Sequence, residues 1–307
     1  MTTVAVADVL HANEVPVDDI VVRRLLGEQF PEWATLPLER VATPGSDHVL
    51  YRLGRDLVVR LPRKEGVDPQ IDKERTWLPR LAPLVSCALP TPVAKGTPSR
   101  MYPFAWSVYT WLDGDNPPEG IAASELARDL ARFVTTLQSV DIPGGPAPGS
   151  ENFGRGEPLA RRDAATRAAI AQLASELDPR AVTAAWEHAL GTPVWEGRPV
   201  WLHGDLTTEN ILVRHGRLAA VLDFGCLGVG DPACDLMVAW SLMTAEDRKV
   251  FRAEVGADEE TWARGRGWAL STALIALPYY GETHRPRAAN ARYRIAEILG
   301  ELNAEAR

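Results

Sequence analysis

Cysteine is scarce in this sequence: its 307 residues include three, Cys87, Cys226 and Cys234. Three thiols cannot all pair with one another, and no second Cys or His cluster completes a zinc-type spacing. Neither a disulfide framework nor a structural zinc site is expected, and a reducing compartment fits. Long apolar runs are missing as well, none approaching the ~20 residues that a membrane span needs. The first residues, MTTVAVADVLHANEV, carry acids but no basic stretch ahead of their apolar positions, so no signal peptide is read there. Positive charge is in deficit, with 33 Lys and Arg against 41 Asp and Glu, a formal net charge of −8 and a pI near 5.4. That balance argues against general affinity for nucleic acid or for an anionic membrane surface. What remains is an ordinary globular composition, 46% hydrophobic and 24% charged, without internal repeats and with a cytoplasmic location expected.

Apolar residues recur at helical spacing in VDDIVVRRLLGEQF, so the chain up to about residue 30 is read as helical. From Leu38 the texture changes. LERVA, HVLYRLG and DLVVRLP read as strands, joined by TPGSD and by the turn Gly54-Arg55-Asp56. A helix is expected from about Gln70 to Leu84, with further strands near TPVAK and WSVYTWL. The loop DGDNPPEG closes this sheet-rich part. A helix follows over Ser124 to Val140, with Ser124 as its cap and Leu126, Leu130, Phe133, Val134, Leu137 and Val140 as its apolar stripe. IPGGPAPGS is too rich in Gly and Pro for regular structure and reads as a surface loop. Ala-rich helices fill about 160 to 191, a strand-and-loop block runs from Val200 to Gly228, and Asp231 to Arg307 reads as helices. The expected class is α+β in two lobes, a small β-rich one over 1–112 and a larger, mainly helical one over 113–307.

The most informative stretch is WLHGDLTTENILVRHGRLAAVLDFGCLGVGDPACDL, residues 201–236. Two apolar runs, Asn210 to Val213 and Leu218 to Leu222, flank Arg214-His215-Gly216-Arg217 and read as a hairpin. Asp205 and Asn210 lie before its first strand and Asp223 after its second. The hairpin therefore brings together three oxygen-bearing side chains separated by five and thirteen positions. Magnesium takes oxygen ligands and keeps several waters. Asn210 and Asp223 can supply two such oxygens, which leaves Asp205 to accept the proton of an attacking hydroxyl. An Asp beside a Gly-containing turn is by itself an ordinary turn former; the joint spacing carries the reading.

His203-Gly204-Asp205-Leu206-Thr207-Thr208-Glu209-Asn210, followed by Asp223-Phe224-Gly225, resembles the aminoglycoside phosphotransferase family, the small-molecule branch of the protein-kinase-like fold. HGD stands where protein kinases have HRD, and no long activation segment ending in Ala-Pro-Glu follows. The resemblance implies a two-lobed kinase-like fold with nucleotide and magnesium between the lobes, and ATP or GTP as phosphoryl donor. It implies Asp205 as catalytic base, Asn210 and Asp223 as Mg2+ ligands, and His203 as a structural partner of the catalytic loop. Asp231 before Pro232 reads as a helix N-cap with Pro at the first helical position. By the same resemblance, Asp235 ties that helix to the catalytic loop.

Arg60 sits among apolar neighbours in Leu57-Val58-Val59-Arg60-Leu61-Pro62, which marks a buried strand. In the following helix Ile71, Glu74, Leu78 and Leu81 share one stripe. A glutamate facing a core needs a cation, and Arg60 is the nearest candidate, though an exposed Arg60–Glu74 pair is an alternative. The family resemblance implies such a pair, with the strand cation on the α/β-phosphates. The usual cation there is Lys, and Arg, with its planar fork, is not a neutral replacement. Gly45 and Ser46, in the turn between the first two strands, either offer backbone amides to phosphate or form a plain hairpin turn. Backbone groups near Tyr109 and Trp111 either contact the base or pack inside the sheet.

The acceptor is expected to be a small molecule with a hydroxyl. Glu246, Asp247, Asp258, Glu259, Glu260 and Glu282 either attract an amino sugar or solvate helix faces. Trp240, Trp262, Trp268, Tyr279 and Tyr280 either line a pocket for a bulkier acceptor such as a macrolide or fill the core. An antibiotic of the aminoglycoside or macrolide type leads. A metabolic kinase of choline, an amino alcohol or a sugar is the alternative, and a catalytically silent nucleotide-binding module is the third reading.

Overall fold

The computed structural model describes residues 14–42, 47–66, 68–121, 123–281 and 284–305. The chain divides into two compact units, Met1–Arg80 with Leu89–Leu112, and Leu81–Ala88 with Asp113–Arg307.

In the first unit, helix α1 (Asp19–Gln29) starts at Asp18, whose carboxylate accepts the Val21 N–H at 2.9 Å. Five strands form one antiparallel sheet: β1 (Leu38–Val41), β2 (His48–Leu53), β3 (Leu57–Pro62), β4 (Pro92–Gly96) and β5 (Trp106–Thr110), in the order β1-β2-β3-β5-β4. The tight β2–β3 link needs Gly54, which sits at φ +62°. Alternation places Val49, Tyr51 and Leu53 of β2 and Val59 and Leu61 of β3 on one inner face. There they join Val22, Leu25, Leu26, Trp106 and Val108 in the core of this unit. Burying each such side chain stabilises the fold by about 1.5–3 kcal/mol. Helix α2 (Asp68–Leu81) packs through the expected stripe: Ile71, Glu74, Leu78 and Leu81 are all buried.

In the second unit, helix α3 (Ser124–Ser139) buries Leu126, Leu130, Phe133, Val134 and Leu137. Ser124 is not its cap. The helix already includes Ser124, so the N-cap position falls on Ala123, and Asp247 holds this end of the helix by accepting the Ser124 hydroxyl at 2.8 Å and the Ala123 N–H at 3.1 Å. Helices α4 (Asp163–Gln172) and α5 (Pro179–Leu190) follow, then a pair formed by β6 (Val200–Leu202) and β9 (Gly228–Gly230). The hairpin between them is β7 (Ile211–Arg214) and β8 (Arg217–Val221). His215 and Gly216 at its tip both have positive φ, +53° and +73°, as a two-residue primed turn demands. The segment Leu81–Ala88 belongs with this unit because Ala88 exchanges hydrogen bonds with Ala219 and Val221, pairing parallel beside β8.

Helices α6 (Val238–Leu242), α7 (Ala245–Val255), α8 (Glu259–Tyr280) and α9 (Arg285–Glu305) complete the chain. Helix α8 is buried all round from Trp262 to Leu274. Gly267 permits the close approach: a Cβ there would lie 2.6 Å from Leu159 Cδ1 and 2.7 Å from Ala189 Cβ. Trp240, Trp262 and Trp268 are core side chains, and the first two donate their indole N–H to Glu301 of α9 at 2.6 and 2.9 Å. Among the described residues no helix is long and apolar enough to cross a membrane.

Candidate active site

The His203-Gly204-Asp205 turn leaves β6 and is held from two sides. From below, Asp235 in the 3₁₀ turn Pro232–Met237 accepts the His203 N–H and the Gly204 N–H, each at 2.7 Å, on separate oxygens. Burial pushes this carboxyl up from its ordinary value, while His203 and the two amides pull it back toward the charged form. Asp231 caps the turn by accepting from Ala233 N–H at 3.0 Å, and its other oxygen pairs with Arg264 at 2.8 Å. From the side, His203 Nδ1 accepts the Asp205 N–H at 3.1 Å, so Nδ1 carries no proton and Nε2–H donates to the Leu222 carbonyl at 2.8 Å. Its ring lies edge-on to Phe224, centroids 4.6 Å apart. His203 is a brace. Gly204 needs φ +82°, and any Cβ would fall 2.5 Å from the Cys226 carbonyl oxygen.

Asp205 projects from this braced turn with its side chain 32% exposed. Asn210 reaches back to it, Nδ2 donating to the Asp205 carbonyl at 2.9 Å and to Oδ2 at 3.4 Å. With the amide nitrogen so committed, the Asn210 oxygen is the atom available to a hard cation. The Leu222 N–H donates to the Asn210 carbonyl at 2.8 Å, which sets Asp223 next in chain to that contact. Asp223 takes a left-handed conformation, φ +59°, and accepts the Gly225 N–H at 3.3 Å. Such a conformation costs a non-Gly residue about 1–2 kcal/mol. The donor set, one amide oxygen and one carboxylate, fits magnesium, which takes few protein ligands and leaves the rest to phosphate and water. Among the described residues no group of three or more His, Cys, Asp or Glu forms a fuller metal cage.

In the first unit, Arg60 and Glu74 form a buried pair. Arg60 Nη1 lies 3.0 Å from both Glu74 oxygens, and the two side chains are 12% and 2% exposed. Tyr109 donates its hydroxyl to the same carboxylate, and burial first, then the Glu74 charge, pushes that phenol above its ordinary range. Tyr109 runs in β5 between β3 and β4, so its backbone lies inside the ladder. Trp111 packs against the Arg52 guanidinium at 4.6 Å, and its N–H donates to the Asp56 carbonyl at 2.7 Å. Packing is thus what these two side chains do. Gly45 and Ser46 lie outside the described residues.

The acids of the C-terminal part have structural uses. Glu246 pairs with Lys249 and Glu259 with Arg252, Asp258 caps α8, and Asp247 accepts from Ala123, Ser124 and Thr244. Glu260 is exposed, and Glu282 lies outside the described residues. Sequence reasoning missed Arg155, whose Nη2 donates to Asp205 Oδ1 at 3.1 Å. A signal was present: Arg155 stands between Gly154 and Gly156, both at positive φ. Gly156 must be glycine, because a Cβ would sit 2.9 Å from Gly230 Cα in β9. A backbone so constrained aims its one long side chain.

A family model described as the phosphotransferase enzyme family matches residues 39–268. The GDP and kanamycin complex of APH(2")-IIia is 21% identical, covering 94% of this chain and 99% of that one with a TM-score of 0.71. The ADP-bound aminoglycoside phosphotransferase APH(2'')-Ib is 19% identical, covering 92% and 97% at a TM-score of 0.60. Macrolide 2'-phosphotransferase MphH from Brachybacterium faecium is 24% identical, covering 88% and 97% at 0.59. A comparison with curated proteins gives no match. These structures share the fold, and the family model spans both units, so the chain belongs to the phosphotransferase enzyme family and is a phosphotransferase on a kinase-like α+β scaffold.

Proposed function

We propose that this chain moves the γ-phosphoryl group of ATP or GTP to a hydroxyl of a small molecule, with Asp205 as catalytic carboxylate. The observation that carries the reading is the braced Asp205 itself: accessible, with Asn210 on one oxygen and Arg155 on the other. Asp205 accepts the acceptor's hydroxyl proton. The acceptor oxygen forms the new bond to the γ-phosphorus as the bond to the β–γ bridging oxygen breaks, so the products are a phosphate monoester and a nucleoside diphosphate. A positioned base supplies about 10² to 10⁴ of the rate, and positioning supplies much of the rest.

Asn210 and Asp223 would hold magnesium, which when bound neutralises phosphate charge. Arg60, fixed by Glu74, is the proposed contact for the α/β-phosphates. Its planar fork is a shape that binds phosphate as well as carboxylate. The neighbours were solved with GDP, ADP or ATP, which supports a nucleotide donor of either base. They act on or bind kanamycin, gentamicin, streptomycin or macrolides, so antibiotics of those types are the leading acceptors. Cys87, Cys226 and Cys234 form no disulfide among the described residues, which supports a reducing, cytoplasmic setting.

The test is nucleoside diphosphate release, with ATP and GTP in parallel, over aminoglycosides, macrolides, choline and simple sugars. Acceptor-dependent release that vanishes in Asp205→Ala supports the reading. Nucleotide binding with no release on any acceptor would favour the silent nucleotide-binding module.

A further inference from the structure

Four arginines gather around the loop that carries Asp205, and two of them make no direct ion pair. Arg155 pairs with Asp205, and Arg287 of α9 pairs with Glu209 at 2.7 Å. Arg162, just before α4, donates through Nε to Ser271 Oγ at 2.8 Å. Arg294 of α9 donates through Nη1 to Thr272 Oγ1 at 3.1 Å. Neither Arg162 nor Arg294 has a carboxylate within ion-pairing distance among the described residues. Arg294 is 6% exposed.

The four form one cluster. Arg155 and Arg162 face the same Trp268 ring, 5.9 and 4.9 Å from its centroid. Arg294 feels Asp205 and Glu209 as attraction, and Arg155 and Arg287 as repulsion. Burial, then the Arg155 charge, pushes Arg162 down to about 10, and burial pushes Arg294 to about the same value. Both remain charged at neutral pH. The Nε–H groups of Arg155 and Arg294 are buried without an acceptor among the described residues. The acids facing the cluster are Asp205, Glu209 and, against Arg155, the loop-anchoring Asp235.

A buried guanidinium without a counter-ion costs several kcal/mol, and an unmet buried donor adds about 1–3. Hydroxyls such as Ser271 and Thr272 solvate the charge but do not neutralise it. A guanidinium fork matches the paired oxygens of a carboxylate or phosphate. An amino sugar would add positive charge to the excess.

We propose that Arg162 and Arg294, with Arg155, form an oxyanion subsite for the acceptor, so that the preferred substrates are hydroxyl compounds bearing a carboxylate or phosphate group. The inference rests on the phosphotransferase reading and departs from it in the acceptor, since aminoglycosides and macrolides carry neither carboxylate nor phosphate. Arg155, bonded to Asp205, is the link that sets the acceptor's hydroxyl near the catalytic carboxylate.

The test uses one carbon skeleton in four charge states: gluconate, glucose 6-phosphate, glucose and glucosamine. Binding to the full chain is measured by calorimetry with saturating non-hydrolysable ATP analogue and magnesium, and diphosphate release is followed with ATP. Gluconate or glucose 6-phosphate is expected to bind at least about tenfold more tightly than glucose or glucosamine, the worth of one charge-assisted hydrogen bond. Arg162→Gln and Arg294→Gln are each expected to erase most of that preference. Equal affinities, no binding by any of the four, or preference for glucosamine overturns the proposal. Displacement of the anions by the ATP analogue also overturns it, since the cluster would then serve the donor's phosphates. Anion preference without transfer to any compound supports the subsite and counts against the phosphotransferase reading alone. The wild-type series decides the matter even where a variant fails to fold.

Discussion

Nη2 of Arg155 meets Oδ1 of Asp205 at 3.1 Å, an ion pair between two loops fifty residues apart. The arginine is 12% exposed and the carboxylate 32% exposed, so the buried partner orients the accessible one. Asn210 Nδ2 lies 3.4 Å from the other oxygen, and together they leave Asp205 little rotational freedom. Asp205→Ala is expected to lower turnover by at least about 10²-fold while nucleotide binding is largely retained. Arg155→Met should lower kcat by about 10–100-fold through loss of that charge-assisted contact, with partial recovery in Arg155→Lys. Single-turnover rates and nucleotide affinity separate the two effects. Wild-type turnover in Asp205→Ala would remove it as the base.

Asp223 holds a left-handed conformation, φ +59°, just past the end of the strand that follows the hairpin turn. Asp223→Ala is expected to raise the magnesium concentration needed for half-maximal rate by about tenfold or more, with little loss of thermal stability. A magnesium titration in the rate assay checks this. An unaltered magnesium dependence would take Asp223 out of the ligand set.

Glu74 is 2% exposed and meets Arg60 Nη1 through both oxygens. Arg60→Ala therefore strands a buried carboxylate and should cost about 3–5 kcal/mol, whereas the double variant with Glu74→Gln should recover part of that. Urea denaturation measures both. Additive losses would mean that the two side chains do not depend on one another.

Asp129 of α3 takes a two-pronged contact from Arg217 of β8, Nε and Nη2 each 2.7 Å from one of its oxygens. The Arg217 hydrogen bonds hold its carboxyl below the usual value of 3.8, against the opposing effect of burial. A native value below the unfolded one gives stability that is complete above about pH 4 and is lost as pH falls through the native value. Asp129→Asn should thus be less stable than wild type at pH 7, by an amount that solvent screening of the exposed Arg217 keeps small, the gap closing toward pH 2. Parallel stability curves across that range would show that the pair contributes nothing.

The motif from His203 to Asp235 was legible because its parts are local. Asp205, Asn210 and Asp223 flank one short hairpin, and a hairpin fixes its ends by register alone. The stripe that brought Glu74 to Arg60 was readable for the same reason: helical period and one intervening turn decide it. Ser124 shows the limit. Local chemistry favoured a cap, but Asp247, more than a hundred residues on, took its hydroxyl.

The sequence alone determined the two-part α+β layout, the spacing of Asp205, Asn210 and Asp223 about one hairpin, and the family, since each depends on short-range order that the chain writes in consecutive residues. Only tertiary structure decided the surroundings of Asp205. Arg155 and Arg162 come from one stretch and Arg287 and Arg294 from another, more than a hundred residues on, and each looks like an ordinary surface charge in its own segment. Packing around α8 draws them together and strips their water, and electrostatic energy depends on distance and burial, neither of which a linear order of residues records.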